Sequence, residues 1–233
     1  MSDNKDCPEY KLSKEYSKGQ YNQIIDGVQW IRISEGCPNK CSYCAESYEN
    51  GTKPIYYDIP EIVSNRVNIL DMNLIYKDKA LEIIKNLGSR RFHGKVIKYS
   101  LQCGIDWRYL TQELASALKQ ARFIEMRLAW DYEYTYAYKI KDALNKLIYA
   151  GYEPKHIQVF MICNWKISYA DCCRKLESLK IWNVQVSDCW FDNQKKGKVI
   201  PIQWTAEEIK KFGTMCRDHN IMMRHNGIQV EKV

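Results

Sequence analysis

The sequence has no long apolar run, no apolar leader and little histidine. No stretch reaches the roughly eighteen consecutive apolar residues of a membrane-spanning helix, so no membrane partner is expected. The N-terminal stretch MSDNKDCPEYKLSKEYSKGQ is polar and lacks the apolar core of a secretory signal, which makes a cytoplasmic location the expectation. No segment rich in Pro, Gly or Ser reads as a linker, so one principal domain is expected. Residues 1–27 read as an N-terminal extension, 28–192 as the core, and 193–233 as a C-terminal loop, helix and tail packed on it. The four histidines, His93, His156, His219 and His225, stand far apart, and none is in ligand spacing with a cysteine cluster.

What the chain does have is apolar content, cysteine and positive charge. Hydrophobic residues make up 45% of its 233 residues, enough for a sizeable core and too much for a disordered chain. Ten cysteines without a secretory signal argue for metal ligation or for small buried apolar side chains rather than for a disulfide scaffold. The net charge of +7 permits an anionic partner without requiring one. The charge is spread along the chain, and its densest run, NQKKGKV at 193–199, reads as a solvated loop.

Six short segments rich in β-branched and aromatic residues read as buried strands: 28–34, 67–74, 96–103, 123–130, 156–163 and 183–190. Helical patterns alternate with them. One has apolar residues at Ala80, Leu81, Ile83, Ile84 and Leu87 and ends near Gly88, and another carries Leu114, Ala117, Leu118 and Ala121 on one face. Thr111, Ser168 and Thr205 are placed as N-caps. Strand starts recur about every thirty residues, the length of a βα unit, which predicts an α/β fold of parallel strands with helices outside. Six units are too few for a closed eight-stranded barrel. A partial barrel and a doubly wound sheet both fit this pattern.

The most informative stretch is SEGCPNKCSYCAES, residues 34–47. Cys37, Cys41 and Cys44 follow the first strand in C-x3-C-x2-C spacing, and no fourth cysteine or histidine stands nearby. Structural zinc sites usually join two close pairs of ligands, so a lone trio fits zinc poorly unless a distant residue completes it. Three thiolates suit a [4Fe-4S] cluster whose fourth iron is left to a small molecule. The loop leaves the C-terminal end of a strand, where ligands bind in barrels and open sheets.

The run GCPNKCSYC, residues 36–44, resembles the C-x3-C-x-φ-C signature of the radical S-adenosylmethionine (radical SAM) superfamily, with Tyr43 as the aromatic φ. The motif's place after strand one, the six βα units and the chain length agree with that family's core. The resemblance implies a partial (βα)6 TIM-like barrel. It implies a [4Fe-4S] cluster on Cys37, Cys41 and Cys44, and S-adenosylmethionine chelating the open iron. One-electron cleavage would then give methionine and a 5′-deoxyadenosyl radical that abstracts hydrogen from a substrate. The resemblance also places the Tyr43 backbone near the adenine, and the end of strand two near the methionyl amine. In the family that end usually carries Gly-Gly-Glu. Here Asp71, Met72 and Asn73 stand in that place, and their plainer reading is a strand terminus. An electron donor such as flavodoxin or ferredoxin is implied as a partner. The substrate is left open: a nucleotide, a nucleic acid, another anionic small molecule, or a protein to be activated.

Arg127 lies within strand four, and a charge there needs a partner. Glu125 and Asp131 share its side of the strand and suggest an internal ion pair. The family resemblance suggests instead a guanidinium reaching the carboxylate of S-adenosylmethionine. Cys103, Cys163 and Cys189 fall at the ends of strands three, five and six. They read either as thiols at the mouth for substrate chemistry or a second cluster, or as buried small side chains. Two rival functions stand beside the enzyme reading. One is a non-enzymatic Fe–S or zinc module, although electron carriers normally fill every iron position with protein ligands. The other is a cluster-binding relative without turnover, which the absence of the glycines after strand two keeps open.

Overall fold

The structure is a computed structural model that describes residues 19–39, 41, 51–163, 166–190 and 204–225. The chain divides into two compact units: Met1–Cys103 with Gln120–Ile124, and Gly104–Lys119 with Glu125–Val233.

The first unit is built on a four-stranded sheet. An antiparallel hairpin joins β1 (Tyr21–Ile25) to β2 (Val28–Arg32). Asp26 and Gly27, both at positive φ, form its two-residue turn, the geometry that matches the twist of paired strands. Part of the segment expected as an extension is therefore an edge strand. Next to β2 lie β5 (Arg66–Ile69) and then β8 (Lys98–Leu101), both parallel to it. Two short hairpins complete the unit: β3 (Ser34–Glu35) with β4 (Ile55–Tyr56), and β6 (Arg91–Phe92) with β7 (Lys95–Val96). Helix α1 (Ala80–Ser89) buries Ala80, Ile84 and Leu87, the apolar stripe its sequence predicts. Ile31, Val67, Ile69 and Tyr99 are fully buried strand residues of this unit, and Ile97, between β7 and β8, is fully buried as well.

The second unit carries a parallel sheet in the order β12 (Gln185–Trp190), β11 (Ile157–Cys163), β10 (Met126–Ala129) and β9 (Ile105–Asp106). Its helices are α2 (Gln112–Gln120), α3 (Ala137–Tyr149), α4 (Tyr169–Ile181) and α5 (Ala206–His225). The predicted caps are present. The Thr111 hydroxyl accepts from Leu114 N at 3.1 Å, and that of Ser168 from Asp171 N at 3.1 Å. Thr205 and Glu208 form a reciprocal pair: Thr205 N donates to Glu208 Oε2 at 2.7 Å and Glu208 N to Thr205 Oγ1 at 3.2 Å. Lys175 is fully buried, donating to the Trp130 carbonyl at 3.1 Å with its ammonium 5.3 Å from the Trp130 ring.

The observed class is the expected α/β alternation with parallel strands. The third and fourth strands differ from the sequence pattern in being interrupted. Tyr99 bridges Phe123 before the break, and Ile105 pairs with Leu128 after it. Six residues on one strand thus face five on the other, and the surplus is absorbed at Gly104 (φ +79°) and Glu125 (φ +54°). A Cβ at Gly104 would stand 3.2 Å from the Arg127 carbonyl oxygen. Strand two also ends at Ile69, short of the expected 74, because Asn73 turns left-handed (φ 48°, ψ 56°). Among the described residues no helix is long and apolar enough to cross a membrane.

Gly104→Ala is expected to destabilise the chain by about 1–3 kcal/mol, the cost of forcing a side chain into positive φ against a carbonyl. Urea denaturation of the two proteins under matched conditions measures the difference.

Candidate metal centre

The chain leaves β2 at Arg32 and enters a loop whose base is a short ladder. Ser34 pairs with Tyr56 and Glu35 with Ile55, while Tyr57 N donates to the Ile33 carbonyl at 2.9 Å. Gly36 follows at φ +87°, where a Cβ would lie 2.2 Å from the Lys53 carbonyl oxygen. Only glycine permits this approach. Cys37 N then donates to the Gly51 carbonyl at 3.2 Å. The first cysteine is therefore pinned by its own backbone to the segment that leads into β4. Cys41 is half-buried. Tyr43 and Cys44 lie outside the described residues.

Asp71 braces this base. Its Oδ1 accepts from Ile33 N at 2.9 Å and its Oδ2 from the Ser34 hydroxyl. The carboxyl is 1% exposed, and burial raises it from 3.8 to about 6 against the opposing pull of Lys77, Ser34, Ile33 and Arg32. A second buried network lies alongside. Arg32 pairs with Glu35 at 3.4 Å, Tyr57 OH donates to Glu35 Oε2 at 2.9 Å, and Gly19 N donates to Glu35 Oε1. Such buried pairs add little net stability, but they hold the loop base in one register.

Burial dominates at the Cys37 sulfur and favours its neutral thiol, as does neighbouring Cys41, while three polar groups favour the thiolate. Cys37 is 8% exposed, and burial raises its thiol pKa. The polar groups around the sulfur push the other way. The Asn39 backbone N–H and the Asn73 amide donate toward it, the latter at 4.0 Å, and the Lys77 ammonium adds positive charge. Donors and a cation around a buried sulfur stabilise its anionic, metal-bound form. Left-handed Asn73 is what brings its amide to Cys37, linking the end of strand two to the cysteine loop. Lys77 is 3% exposed, and its Nζ donates to the Met72 carbonyl at 2.8 Å. The Met72 backbone oxygen, expected at the methionyl amine, is thus engaged by a lysine.

The other candidates have the following surroundings, each within its own unit. Arg127 lies 3.9 Å from the exposed carboxylate of Glu125 and over the Phe160 ring at 5.8 Å. Asp131 accepts from Ile162 N at 3.1 Å. Cys103 is exposed and its thiol donates to the Leu70 carbonyl at 3.5 Å. Cys163 is fully buried, so the expected place at the mouth is replaced by one in the core. Its hydrogen bond to Cys172, followed by burial, pushes its thiol far above the ordinary range. Cys189 is half-buried, with its thiol pushed up to about 11 by burial. A neutral buried thiol is a poor nucleophile.

Lys77, Arg32, Glu35 and Gly36 were not singled out in the sequence. Arg32 and Glu35 carried a signal, since charges at the end of a strongly apolar strand need buried partners. Lys77 carried none, because its burial follows from the turn at Asn73.

No family model matches the chain, and no curated protein does. Solved structures do. The radical SAM methyltransferase TsrM from Kitasatospora setae, with cobalamin and a [4Fe-4S] cluster bound, superposes with a TM-score of 0.58 at 11% identity, over 69% of this chain and 34% of TsrM. TsrM with tryptophan and a S-adenosylmethionine analogue gives 0.58 at 12% identity, over 76% and 36%. Coproporphyrinogen III oxidase HemN from Escherichia coli, a radical SAM enzyme, gives 0.57 at 12% identity, over 83% and 52%. The chain has the fold of these enzymes and spans between a third and about half of their length.

Two outcomes follow from the geometry. Gly36→Ala strains the loop base by about 1–3 kcal/mol. Amide exchange at Cys37 and Tyr57 is therefore expected to accelerate about tenfold or more, read by hydrogen–deuterium exchange. A carboxyl whose pKa rises on folding contributes stability that is full below 3.8 and is lost as pH climbs through about 6. Relative to Asp71→Asn, the wild-type denaturation midpoint is expected to fall between about pH 4 and pH 6. Parallel urea titrations across that range measure it.

Proposed function

We propose that this chain is a radical SAM enzyme in which Cys37, Cys41 and Cys44 hold a [4Fe-4S] cluster that binds S-adenosylmethionine. The observation that carries the reading is the donor-lined, buried Cys37 sulfur at the C-terminal end of the first parallel strand, within a fold shared with radical SAM enzymes. When bound and reduced, such a cluster supplies the electron that cleaves S-adenosylmethionine to methionine and a 5′-deoxyadenosyl radical.

The chain's own residues have narrower tasks. Gly36 and the β3–β4 ladder set the height of the first ligand above the sheet. Asp71 keeps the departing strand in place through Ile33 and Ser34. Asn73 and Lys77 offset the negative charge that a thiolate brings into a buried position. The fourth iron position, left without a cysteine in the motif, serves the small molecule. The same task division fits a chain that acts on one substrate at the strand ends, with a reduced carrier such as flavodoxin or ferredoxin as donor.

The test is anaerobic reconstitution with iron and sulfide, followed by reduction in the presence of S-adenosylmethionine. Wild type is expected to form 5′-deoxyadenosine, and Cys41→Ala to lose both cluster absorption and nucleoside while keeping its circular dichroism. A colourless protein holding one zinc ion would establish the structural-module alternative. A bound cluster without any nucleoside would identify a relative that has lost turnover.

A further inference from the structure

We propose that the N-terminal end of the first unit's sheet is a docking surface for the phosphodiester backbone of a nucleic acid. The segment 83–105 contains five Lys and Arg residues and no Asp or Glu. The fold gathers its charges with two from elsewhere. Arg66 and Lys98 open neighbouring strands and are register partners. Arg91 and Lys95 sit on the β6–β7 ribbon, and Arg90 immediately precedes it. Arg122 reaches in from the segment before β10, donating to Ile97 O at 3.2 Å and Gly88 O at 2.5 Å.

Among the described residues these cations meet uncharged acceptors rather than carboxylates. Arg90 donates to Asn86 Oδ1 at 3.0 Å and to Pro60 O at 2.9 Å, and Arg91 to Gly88 O at 3.1 Å and Arg90 O at 2.8 Å. Every acceptor is uncharged. Among the described residues no ion pair engages any of the six. Arg32, Arg108, Arg127 and Arg174, by contrast, each meet a carboxylate. Burial pushes the Tyr99 hydroxyl up to about 12, and the positive charges of Arg90, Arg122 and Arg91 oppose that rise. Backbone carbonyls fix Arg90 and Arg122 in place, which reduces the ordering cost of binding an anion.

The surface chemistry favours nucleic acid over an acidic protein or an anionic membrane. Arg66, Arg91, Lys95 and Lys98 are exposed, while Val96 is the only exposed large apolar residue of the ribbon. Protein interfaces and membrane-binding faces need a cluster of apolar anchors, whereas the exposed large apolar residues next to these cations in sequence are two valines, Val63 and Val96. The ribbon's turn, His93–Gly94, instead presents an exposed imidazole 4.2 Å from the Phe92 ring, a platform on which a base can stack. The surface lies at the strand starts, whereas the cysteine loop departs from the strand ends, so binding here is independent of metal.

The test uses the full-length protein and fluorescence anisotropy of labelled single-stranded RNA and DNA across a salt series. Affinity is expected to fall linearly on a log–log salt plot. Arg91→Gln, Lys95→Gln and Lys98→Gln combined should lower the magnitude of that slope by about 2, at about 0.7 per lost phosphate contact, and weaken binding at least about tenfold. Should the triple variant unfold, Lys98→Gln alone is expected to lower the slope by about 0.7. Cys41→Ala should bind as wild type does. Absence of salt-dependent binding, a slope unchanged by the substitutions, or loss of binding in Cys41→Ala overturns the proposal. So does equal binding of poly-glutamate or of anionic vesicles.

Discussion

The first unit depends on one buried carboxylate. Asp71 stands just past the end of β5 and ties back to Ile33 and Ser34, where the chain departs from β2. Parallel neighbours share backbone bonds along their length, but nothing in a ladder controls what the chain does once a strand ends. A side chain with two acceptors does so here, at the cost of burying a charge. Lys77 limits that cost from the following turn. Because Lys77 also acts on Cys37, the same ammonium balances the brace and the sulfur it supports.

Legibility of the fold followed from periodicity. The six strand segments and the helical stripe of α1 were readable because apolar spacing reports burial directly. The caps Thr111, Ser168 and Thr205 were readable because capping is local chemistry. The interruption at Gly104 and Glu125 was not readable. It arises from a one-residue mismatch between two strands, and neither strand carries that mismatch by itself. The β1 strand was missed for a different reason: Asp26-Gly27 is a strong hairpin signal, but the polar residues around it drew the segment into an extension.

The site divides in the same way. Cys37 and Cys41 stand out by spacing, and Cys37 stands just past the strand that ends at Glu35. Asn73 was singled out for its place in the chain, and its left-handed backbone supplies a reason the sequence did not hold. Cys163 shows the converse. Its position at a strand end was read correctly, yet the strand end is covered by α4 and α5, so the side chain faces Cys172 and Cys216 rather than solvent. The cationic end of the sheet was invisible because Arg66, Arg91 and Arg122 are far apart in sequence, and only strand register and a returning segment bring them together.

The enclosure of Cys163, Cys172 and Cys216 bears on how metal content is interpreted. All three are at most 1% exposed. Inorganic iron and sulfide added to the folded chain deposit on sulfur that solvent can reach, and these thiols are withdrawn from that competition. A thiol count on the folded chain is therefore expected to fall short of the full complement of ten by at least these three.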